Sequence, residues 1–446
     1  MNFEQMKEYL VRAAQRAGLT EYEIYARSDR EISTETLKHE ISGFSSGVGG
    51  GISFRCIVDG HMGYASSQRL TEQEMEALVD RAIDNAKSIE SEDEEEIFGG
   101  SAHYETLTSE VTLPDAATLK TWALDLHEQT YAQHESVADG TQTGAMAFES
   151  EILLCNSHGL ELSTHVGACG VYVEAVVKQG DEAVSEAEIK SIQTADELPG
   201  LAAAAVKGAR AKLGATTLPS GNMDCVISGR QMRNLLAAFF SMFSARSVQY
   251  GMSLLKGRLG DKIASDAVTI TDDPRRAQCA LQTAFDGEGV ATYRKNVIDG
   301  GVLRTYLYDL KTAKKDGLSS TGNGQRASYT SPVSIAPYCF CLEAGEQSRE
   351  QLFAAIEDGV YITELKGLHA GADAVTGDFS LESAGFRIRN GQLAEPVKTF
   401  TIAGNFLQLL QSVEAVSDEI DYGFSGGFTT YASADVLVKG VSIAGE

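Results

Sequence analysis

Residues 52–88, ISFRCIVDGHMGYASSQRLTEQEMEALVDRAIDNAKS, are the stretch of sequence that decides the fold. Two segments rich in β-forming residues, 52–58 and 62–66, flank an Asp-Gly dipeptide that is typical of the tight turn of a β-hairpin. Farther on, Thr71 and Glu74 are placed to cap a helix, and apolar side chains then recur at helical spacing. A hairpin followed by an amphipathic helix predicts a layer of helices packed on a sheet.

The preceding residues extend this pattern toward the amino terminus. Residues 1–18 carry apolar side chains at helical spacing and end at a glycine, which predicts a first helix. Two strand-like runs follow, at residues 21–26 and 31–38. We therefore expect residues 1–89 to form an amino-terminal α/β domain of helices on a mixed sheet.

An acidic run separates this region from the next one. Six of the seven residues from Glu90 to Glu96 are acidic, and such runs are usually solvated. We interpret residues 90–105 as an acidic linker and residues 106–217 as a central domain. Its predicted elements are a helix at 115–133, strands at 151–155, 160–164 and 171–177, and an alanine-rich helix at 201–213.

The sequence changes character after a Pro-Ser-Gly turn at 219–221. Short β-rich runs there alternate with glycine, and the Asp-Gly and Asn-Gly dipeptides at 299–300 and 390–391 mark hairpins. Residues 218–446 are therefore predicted to form a large antiparallel, β-rich domain, and the fold class of the whole chain is α+β. Helices within this domain are expected at 230–243, 349–358 and 405–413.

The composition is that of a globular protein with a strong acidic bias. Of 446 residues 43% are hydrophobic, and 37 Lys and Arg against 63 Asp and Glu give a formal net charge of -26. Such a surface repels nucleic-acid phosphate, so we expect no nucleic-acid partner. We recognise no signal peptide, no membrane-spanning run and no CxxC pair among the seven cysteines. We therefore expect a cytoplasmic protein with reduced thiols and no membrane contact.

The sequence contains no complete catalytic motif. The glycine-rich residues 43–51 lack the endings of a phosphate loop and of a dinucleotide fingerprint, so we expect a loop before a strand. His39, His127 and His134 each precede a glutamate, but none has a second histidine one helical turn later, as zinc peptidases require. We expect His127 and His134 to face solvent. The GxSxG motif of serine hydrolases is also absent.

Several short motifs nevertheless occur together in a distinctive order. They are NSHG at 156–159, LGA at 213–215 with PSG at 219–221, FDGEG at 285–289, DGGVL at 299–303, STGNGQR at 320–326, TGDF at 376–379 and IAGN at 402–405. In this order and spacing, the chain resembles the TldD/PmbA family over nearly its whole length.

The resemblance implies a proteolytic system. TldD-like members carry a HExxxH zinc site and cleave unfolded or leader-type peptides, whereas PmbA-like members, also called TldE, lack that motif and pair with a TldD-like subunit. This chain has QMRNLLAAFF at residues 231–240, where the zinc helix would lie, so it resembles the second kind. We expect no catalytic residue, metal or other cofactor in this chain, zinc in the partner, and a heterodimer, with a homodimer when the chain is isolated.

Within these motifs we single out Thr321, Asn323, Arg326 and Asp378 as residues for peptide or subunit contact. Their turns would line a cleft in which backbone hydrogen bonds hold an extended peptide. The competing interpretation is structural. Asn-Gly and Gly-Asp turns favour positive φ, and Arg326 can pair with a carboxylate of the fold.

Two other functions stay open on the sequence alone. The chain could be an independent hydrolase whose site is assembled from distant residues such as His158, His165 or Cys169. It could also be a non-enzymatic modulator of DNA gyrase, the older description of the family, that binds the gyrase protein rather than DNA. The sequence therefore leaves undecided whether this chain is itself an enzyme.

Overall fold

The first half of the protein is a six-stranded antiparallel sheet with helices on one face. The computed structural model describes residues 3–90, 93–107, 113–192, 194–424 and 427–446. The strands of this sheet are β1 (Tyr22–Leu37), β2 (Glu40–Val58), β3 (His61–Ser67), β4 (Gln142–Asn156), β5 (Glu161–Gln179) and β6 (Glu182–Ser191). Their spatial order is β3-β2-β1-β4-β5-β6. The helices are α1 (Phe3–Arg16), α2 (Glu72–Lys87), α3 (Ala116–Gln133) and α4 (Leu198–Ala211), with a 3-10 turn at Ala195–Glu197.

These helices all cover the same face of the sheet. Side chains alternate between the two faces along a strand, so Ile24 and Ile32 of β1 point to one face. Ile24 packs with α1 and α2, and Ile32 packs with α3 and α4. The opposite face, which includes Glu23 and Tyr25, is turned toward the second half of the protein.

The hairpin predicted around residues 59–60 is confirmed, because β2 and β3 pair on either side of this turn. The two runs predicted at 21–26 and 31–38 form the single strand β1. The sheet is antiparallel rather than mixed, since tight turns join β1 to β2, β2 to β3 and β4 to β5. Residues 43–51 form no loop but extend β2, because β1 offers hydrogen-bond partners along their whole length.

The segments predicted as amino-terminal and central domains contribute to this one sheet. β1 hydrogen-bonds with β4 from the pair Glu23 and Asn156 to the pair Leu37 and Gln142. The domain limits themselves stay a prediction. Residues 91–92 of the acidic run lie outside the described residues.

The second half is built on a ten-stranded, mostly antiparallel sheet. Its strands are β7 (Gly221–Ile227), β8 (Ile270–Asp272), β9 (Lys295–Asp299), β10 (Val302–Leu303), β13 (Cys339–Leu342), β14 (Asp358–Lys366), β15 (Asp378–Arg389), β16 (Gln392–Asn405), β17 (Val413–Tyr422) and β18 (Thr430–Ala444), and a separate ribbon joins β11 (Gly324–Gln325) to β12 (Ser334–Ile335). The pairs β13–β18 and β7–β14 are parallel. The predicted α+β class with a large β-rich carboxyl-terminal region is confirmed.

Short helices cover this second sheet and contribute to its core. They are α5 (Gly229–Phe239), followed by a 3-10 turn at Phe240–Phe243, α6 (Ala245–Gln249), α7 (Leu310–Asp316), α8 (Arg349–Ala354), α9 (Leu368–Gly371) and α10 (Phe406–Gln411). The ring of Phe239 in α5 stacks on Phe406 in α10 with 4.6 Å between the ring centres. No helix in the described part of the chain is long and apolar enough to cross a membrane.

Candidate functional site

A cleft of about 510 Å³ lies between the two halves of the protein. One wall comes from the amino-terminal sheet, through Arg55 of β2 and Tyr64 of β3. The facing wall comes from α6, α7 and the segment 326–333. Charged side chains of both signs line the cleft: Arg55, Arg246, Lys311, Lys315 and Arg326, with Asp93, Glu95, Glu288 and Asp309. Such a lining suits a polar ligand such as a peptide backbone better than an apolar small molecule.

A buried ion-pair cluster adjoins the cleft. Arg55 Nη2 donates to Glu23 Oε2 at 2.9 Å, and Arg326 Nη2 donates to Glu23 Oε1. Arg326 also places its guanidinium 4.5 Å from the centre of the Tyr25 ring and donates from Nε to the Gly287 carbonyl at 2.9 Å. Because two guanidinium groups share Glu23, the cluster ties the segment around residue 326 to the amino-terminal sheet.

Two buried carboxyl groups with raised pKa values lie beside this cluster. Burial is the main cause of the raised pKa of both Asp286 and Glu288, and the nearby guanidinium of Arg55 opposes it. Asp286 accepts three backbone N–H groups at 2.9–3.0 Å, which favours its ionised form. Glu288 accepts one backbone N–H, from Leu310, at 2.8 Å. Glu288 is therefore the carboxyl group that retains a proton more readily.

The acidic run lies along α7 at the mouth of the cleft. Lys311 Nζ is 3.4 Å from carboxylate oxygens of both Asp93 and Glu95, and Lys315 Nζ is 3.0 Å from Asp93. These side chains are partly exposed, so salt will screen the ion pairs. The described part of the run is thus held on the surface of the second half by opposite charges.

Three of the predicted site residues occupy one loop beside the cleft. Thr321 and Asn323 are buried, and Arg326 lines the cleft. Thr321 Oγ1 accepts from the Tyr308 backbone N–H at 2.7 Å, and Asn323 Nδ2 donates to Asp272 Oδ2 at 2.7 Å. All three side chains hold the loop in place, whereas contact with a peptide stays a prediction.

Asp378, the fourth predicted residue, lies apart from this loop. It is the first residue of β15, exposed, and its Oδ1 accepts from Asn405 Nδ2 at 3.0 Å. Asn405 is also the residue opposite Asp378 on β16. The structure therefore brings together Thr321, Asn323 and Arg326 but not Asp378.

Helix α5 contains most of residues 231–240, where the resemblance places the zinc helix, and its side chains do not fit a zinc ion. Met232 and Leu235 are fully buried in the apolar core. Gln231 Nε2 donates to the Thr363 carbonyl at 2.7 Å, and Arg233 Nε pairs with Asp421. In the ranges that the structure describes, no group of three or more His, Cys, Asp or Glu side chains is placed to hold a metal ion. The absence of zinc from the purified chain stays a prediction.

His127 is buried, which contradicts the expectation that it faces solvent. It lies on the face of α3 that packs against the turn between β1 and β2, and its Nε2 accepts from the His39 backbone N–H at 3.1 Å. Burial lowers the pKa of His127, with a smaller contribution from His39. His134, at the end of α3, is half-buried and lies 2.8 Å from Ser136 Oγ.

Glu288 and Arg326 lie in the motifs at 285–289 and 320–326, whereas Arg55 and Glu23 belong to no motif that the sequence displays. The available signal is Arg55, which interrupts the apolar segment 52–58 in the middle of a strand. A charge at such a position needs a buried partner, because an unpaired charge in the interior is very costly. The partner Glu23 and the neighbour Glu288 become identifiable only when the chain is folded.

Comparison with known proteins defines the class of protein. Two family models match: "PmbA/TldA metallopeptidase domain 1" matches residues 22–86, and "PmbA/TldA metallopeptidase C-terminal domain" matches residues 220–445. The fold and the two family-model matches together define a metallopeptidase-like protein. The chain belongs to the PmbA/TldD family.

Individual relatives cover nearly the whole chain. The chain is 25% identical to the metalloprotease PmbA of Escherichia coli O157:H7, over 93% of this chain and 90% of that one. It is 26% identical to a metalloprotease of Methanocaldococcus jannaschii, over 89% and 90% of the two chains. A solved Thermotoga maritima structure, whose description refers to modulation of a DNA gyrase, has a TM-score of 0.90 and 28% identity, covering 99% of this chain and 100% of that one. TldE from Thermococcus kodakarensis shares the fold, with a TM-score of 0.89 at 22% identity, over 98% and 100% of the two chains.

Proposed function

We propose that this chain is the non-catalytic subunit of a zinc metallopeptidase complex. A TldD-like partner would supply the zinc site, and the complex would process unfolded or leader-type peptides. The single observation that carries this assignment is α5, whose inward side chains Met232, Leu235 and Leu236 fill the core instead of binding a metal. A zinc peptidase needs imidazole and carboxylate ligands on successive turns of such a helix.

The cleft supports a role in handling the substrate. An unfolded peptide loses conformational freedom when it is bound in an extended form, at a cost of roughly 1–2 kcal/mol per residue. The cleft offers charged and hydroxyl side chains of both halves as hydrogen-bonding groups that offset this cost. In this role Arg326 is a positioning residue that fixes the walls. Asp378 is exposed but is not among the residues that line the cleft, so it is a candidate for contact with peptide or subunit outside it.

Exposed apolar side chains that follow the cleft residue Tyr250 along the chain are the candidate contact for the catalytic partner. Tyr250 lines the cleft, and its neighbours along the chain, Met252, Leu254 and Leu259, are all exposed. Leu318, which follows α7, is exposed as well. Exposed clusters of large apolar side chains are typical of protein–protein contacts. A subunit bound here would close the mouth of the cleft.

The independent-hydrolase alternative gains no support from the residues considered for it. His158 Nε2 lies 2.8 Å from Glu21, and His165 Nε2 lies 3.3 Å from Glu149. Cys169 is buried and donates to the Ile192 carbonyl at 3.0 Å. Burial raises the pKa of the Cys169 thiol, which keeps it protonated and a poor nucleophile.

Copurification tests the pairing on which this function depends. A TldD-like protein from the same source, carrying an affinity tag, should retain this chain in a one-to-one complex. A tagged gyrase subunit mixed with the chain under the same conditions tests the modulator alternative. Retention by gyrase and not by the TldD-like protein would contradict the proposed function.

A further inference from the structure

Three lysines of α7 form a positively charged surface at the mouth of the cleft, called here the α7 lysine surface. Lys311, Lys314 and Lys315 belong to this short helix, and Lys311 and Lys315 line the cleft itself. Arg246, whose side chain is 41% exposed, lines the same cleft. A chain with a formal net charge of -26 thus places several cations together beside its cleft.

The stability of α7 does not account for all of these lysines. Like charges three or four positions apart on a helix repel each other, as Lys311 does with Lys314 and Lys315. Lys311 also lies in the first turn, where the helix dipole disfavours a cation, although it favours the two lysines of the last turn. The position of Lys311 is therefore better explained by what it binds.

The acidic run of the same chain shows how a peptide fits the α7 lysine surface. Alternate carboxylates of residues 93–96 pair with different lysines: the first and third with Lys311, and the second and fourth with Lys314, at 3.3–3.8 Å between nitrogen and oxygen. Alternation with a period of two is typical of an extended backbone. An extended acidic segment can therefore lie along α7 and pair with its lysines.

The acidic residues are held more weakly than the residues that follow them. Ile97 is buried, and the Phe98 carbonyl accepts from Asn156 Nδ2 at 2.7 Å, which fixes the chain after the run. The side chains of Glu94 and Glu96 are instead 80% and 47% exposed. Because exposed ion pairs contribute little stability, a second acidic segment can replace the run on α7 while the fold stays intact.

We propose that the α7 lysine surface binds acidic segments of the peptide substrate, and that residues 93–96 cover this surface until such a segment displaces them. This inference rests on the proposed role of the cleft in holding a peptide, and it adds a substrate class, extended peptides rich in aspartate and glutamate. The run acts as an internal competitor. A peptide with few carboxylates gains too little from the lysines to displace it.

Peptide binding by the isolated chain tests the lysine surface. A fluorescently labelled, unstructured peptide with a block of glutamates should bind at low ionic strength, where charges are least screened, and the same peptide with glutamines in that block should not. The variant with glutamine at Lys311, Lys314 and Lys315 should lose this binding. The corresponding arginine variant keeps the charges and should bind as the wild type does. The matched control, which should also bind like the wild type, carries glutamine at three exposed lysines elsewhere: Lys87, Lys178 and Lys207.

Neutralising the acidic run tests the competition. The variant combines Asp93→Asn with glutamine at residues 94–96, and it should bind the glutamate peptide at least about tenfold more tightly than the wild type, because the lysines are no longer paired. A control with the same change in net charge neutralises four exposed acidic residues far along the chain from the run: Glu31, Glu40, Glu151 and Asp181. It should bind close to the wild-type affinity.

Three results would each overturn this inference. They are equal binding of the glutamate and glutamine peptides, unchanged binding by the glutamine variant of the three lysines, and a neutralised run that binds no more tightly than its control. The titrations involve neither zinc nor a catalytic partner. Their failure would therefore leave the proposed subunit role standing, whereas failure of the copurification would not change how the isolated chain binds acidic peptides.

Discussion

Arg326 and Glu23 form an ion pair whose side chains are 1% and 0% exposed. Glu23 belongs to the amino-terminal sheet, whereas Arg326 belongs to the loop after α7, so the pair joins the two walls of the cleft. Removing one partner of a buried ion pair leaves the other charge without compensation. This contact therefore helps to fix the orientation of the two halves.

Arg326→Ala should lower the free energy of unfolding by about 3 kcal/mol. The matched control is Arg304→Ala, because Arg304 pairs with Asp299 at the surface, with side chains 52% and 46% exposed. Arg304→Ala should lower the free energy of unfolding by less than about 1 kcal/mol. Urea denaturation of both variants measures the difference, and equal stabilities would show that the buried pair does not hold the halves together.

Glu288→Gln should flatten the pH dependence of stability. Burial raises the pKa of Glu288 in the folded protein, so the folded state binds a proton that the unfolded state has already released. Protonated Glu288 contributes fully to stability below its pKa in the unfolded chain, about 4.3. This contribution is lost as the pH rises through the pKa of Glu288 in the folded protein. Between about pH 5 and pH 8, the wild type should lose stability relative to Glu288→Gln. Glu31→Gln, on an exposed part of β1, should follow the wild-type profile.

Cleavage within the acidic run should depend on salt. At low ionic strength the lysines of α7 hold Asp93 and Glu95, so a glutamate-specific protease should cut there slowly. At about 1 M salt the Debye length falls to about 3 Å, and cleavage should become fast. The variant with glutamine at Lys311, Lys314 and Lys315 should be cut rapidly at every salt concentration. Fast cleavage of the wild type at low salt would support a free linker instead.

Leu254→Asp should weaken binding of a TldD-like partner without changing the stability of the chain. Leu254 is 46% exposed and lies four residues after the cleft residue Tyr250, so aspartate is tolerated in the free chain but must be desolvated in the proposed complex. Leu393→Asp, at a similarly exposed leucine on β16, is the control. Calorimetric titration with the partner should show weaker binding for Leu254→Asp alone. Equal affinities of the two variants would show that the partner does not bind at Leu254.

The local elements can be predicted from the sequence because their signals are local. The Asp-Gly turn at 59–60, the helix cap at Thr71 and the Asn-Gly turn at 390–391 all fold as predicted. Each depends on residues only a few positions apart. The sequence of residues 43–51 instead predicts a loop, because glycine is uncommon in strands. These residues are nevertheless extended, because they pair with β1.

The cleft can be predicted only in part. A sequence motif singles out Arg326, but its partner lies 303 positions away, and nothing in the sequence indicates which carboxylate it meets. Likewise, the sequence predicts that His127 is a surface residue of α3. In the structure, the turn between β1 and β2 places His39 against it. Long-range pairing of this kind follows from sheet order, which a single sequence does not reveal.

Peptide cleavage by the reconstituted pair is the most direct test of the proposed role. The purified chain, a TldD-like partner and their mixture should each be assayed on an unfolded peptide, with and without a zinc chelator, and with zinc determined in every sample. We expect the chain alone to contain no zinc and to cleave nothing, and the mixture to cleave faster than the partner alone in a chelator-sensitive manner. Chelator-insensitive cleavage by the purified chain, or about one zinc ion per chain, would contradict the assignment of a non-catalytic subunit.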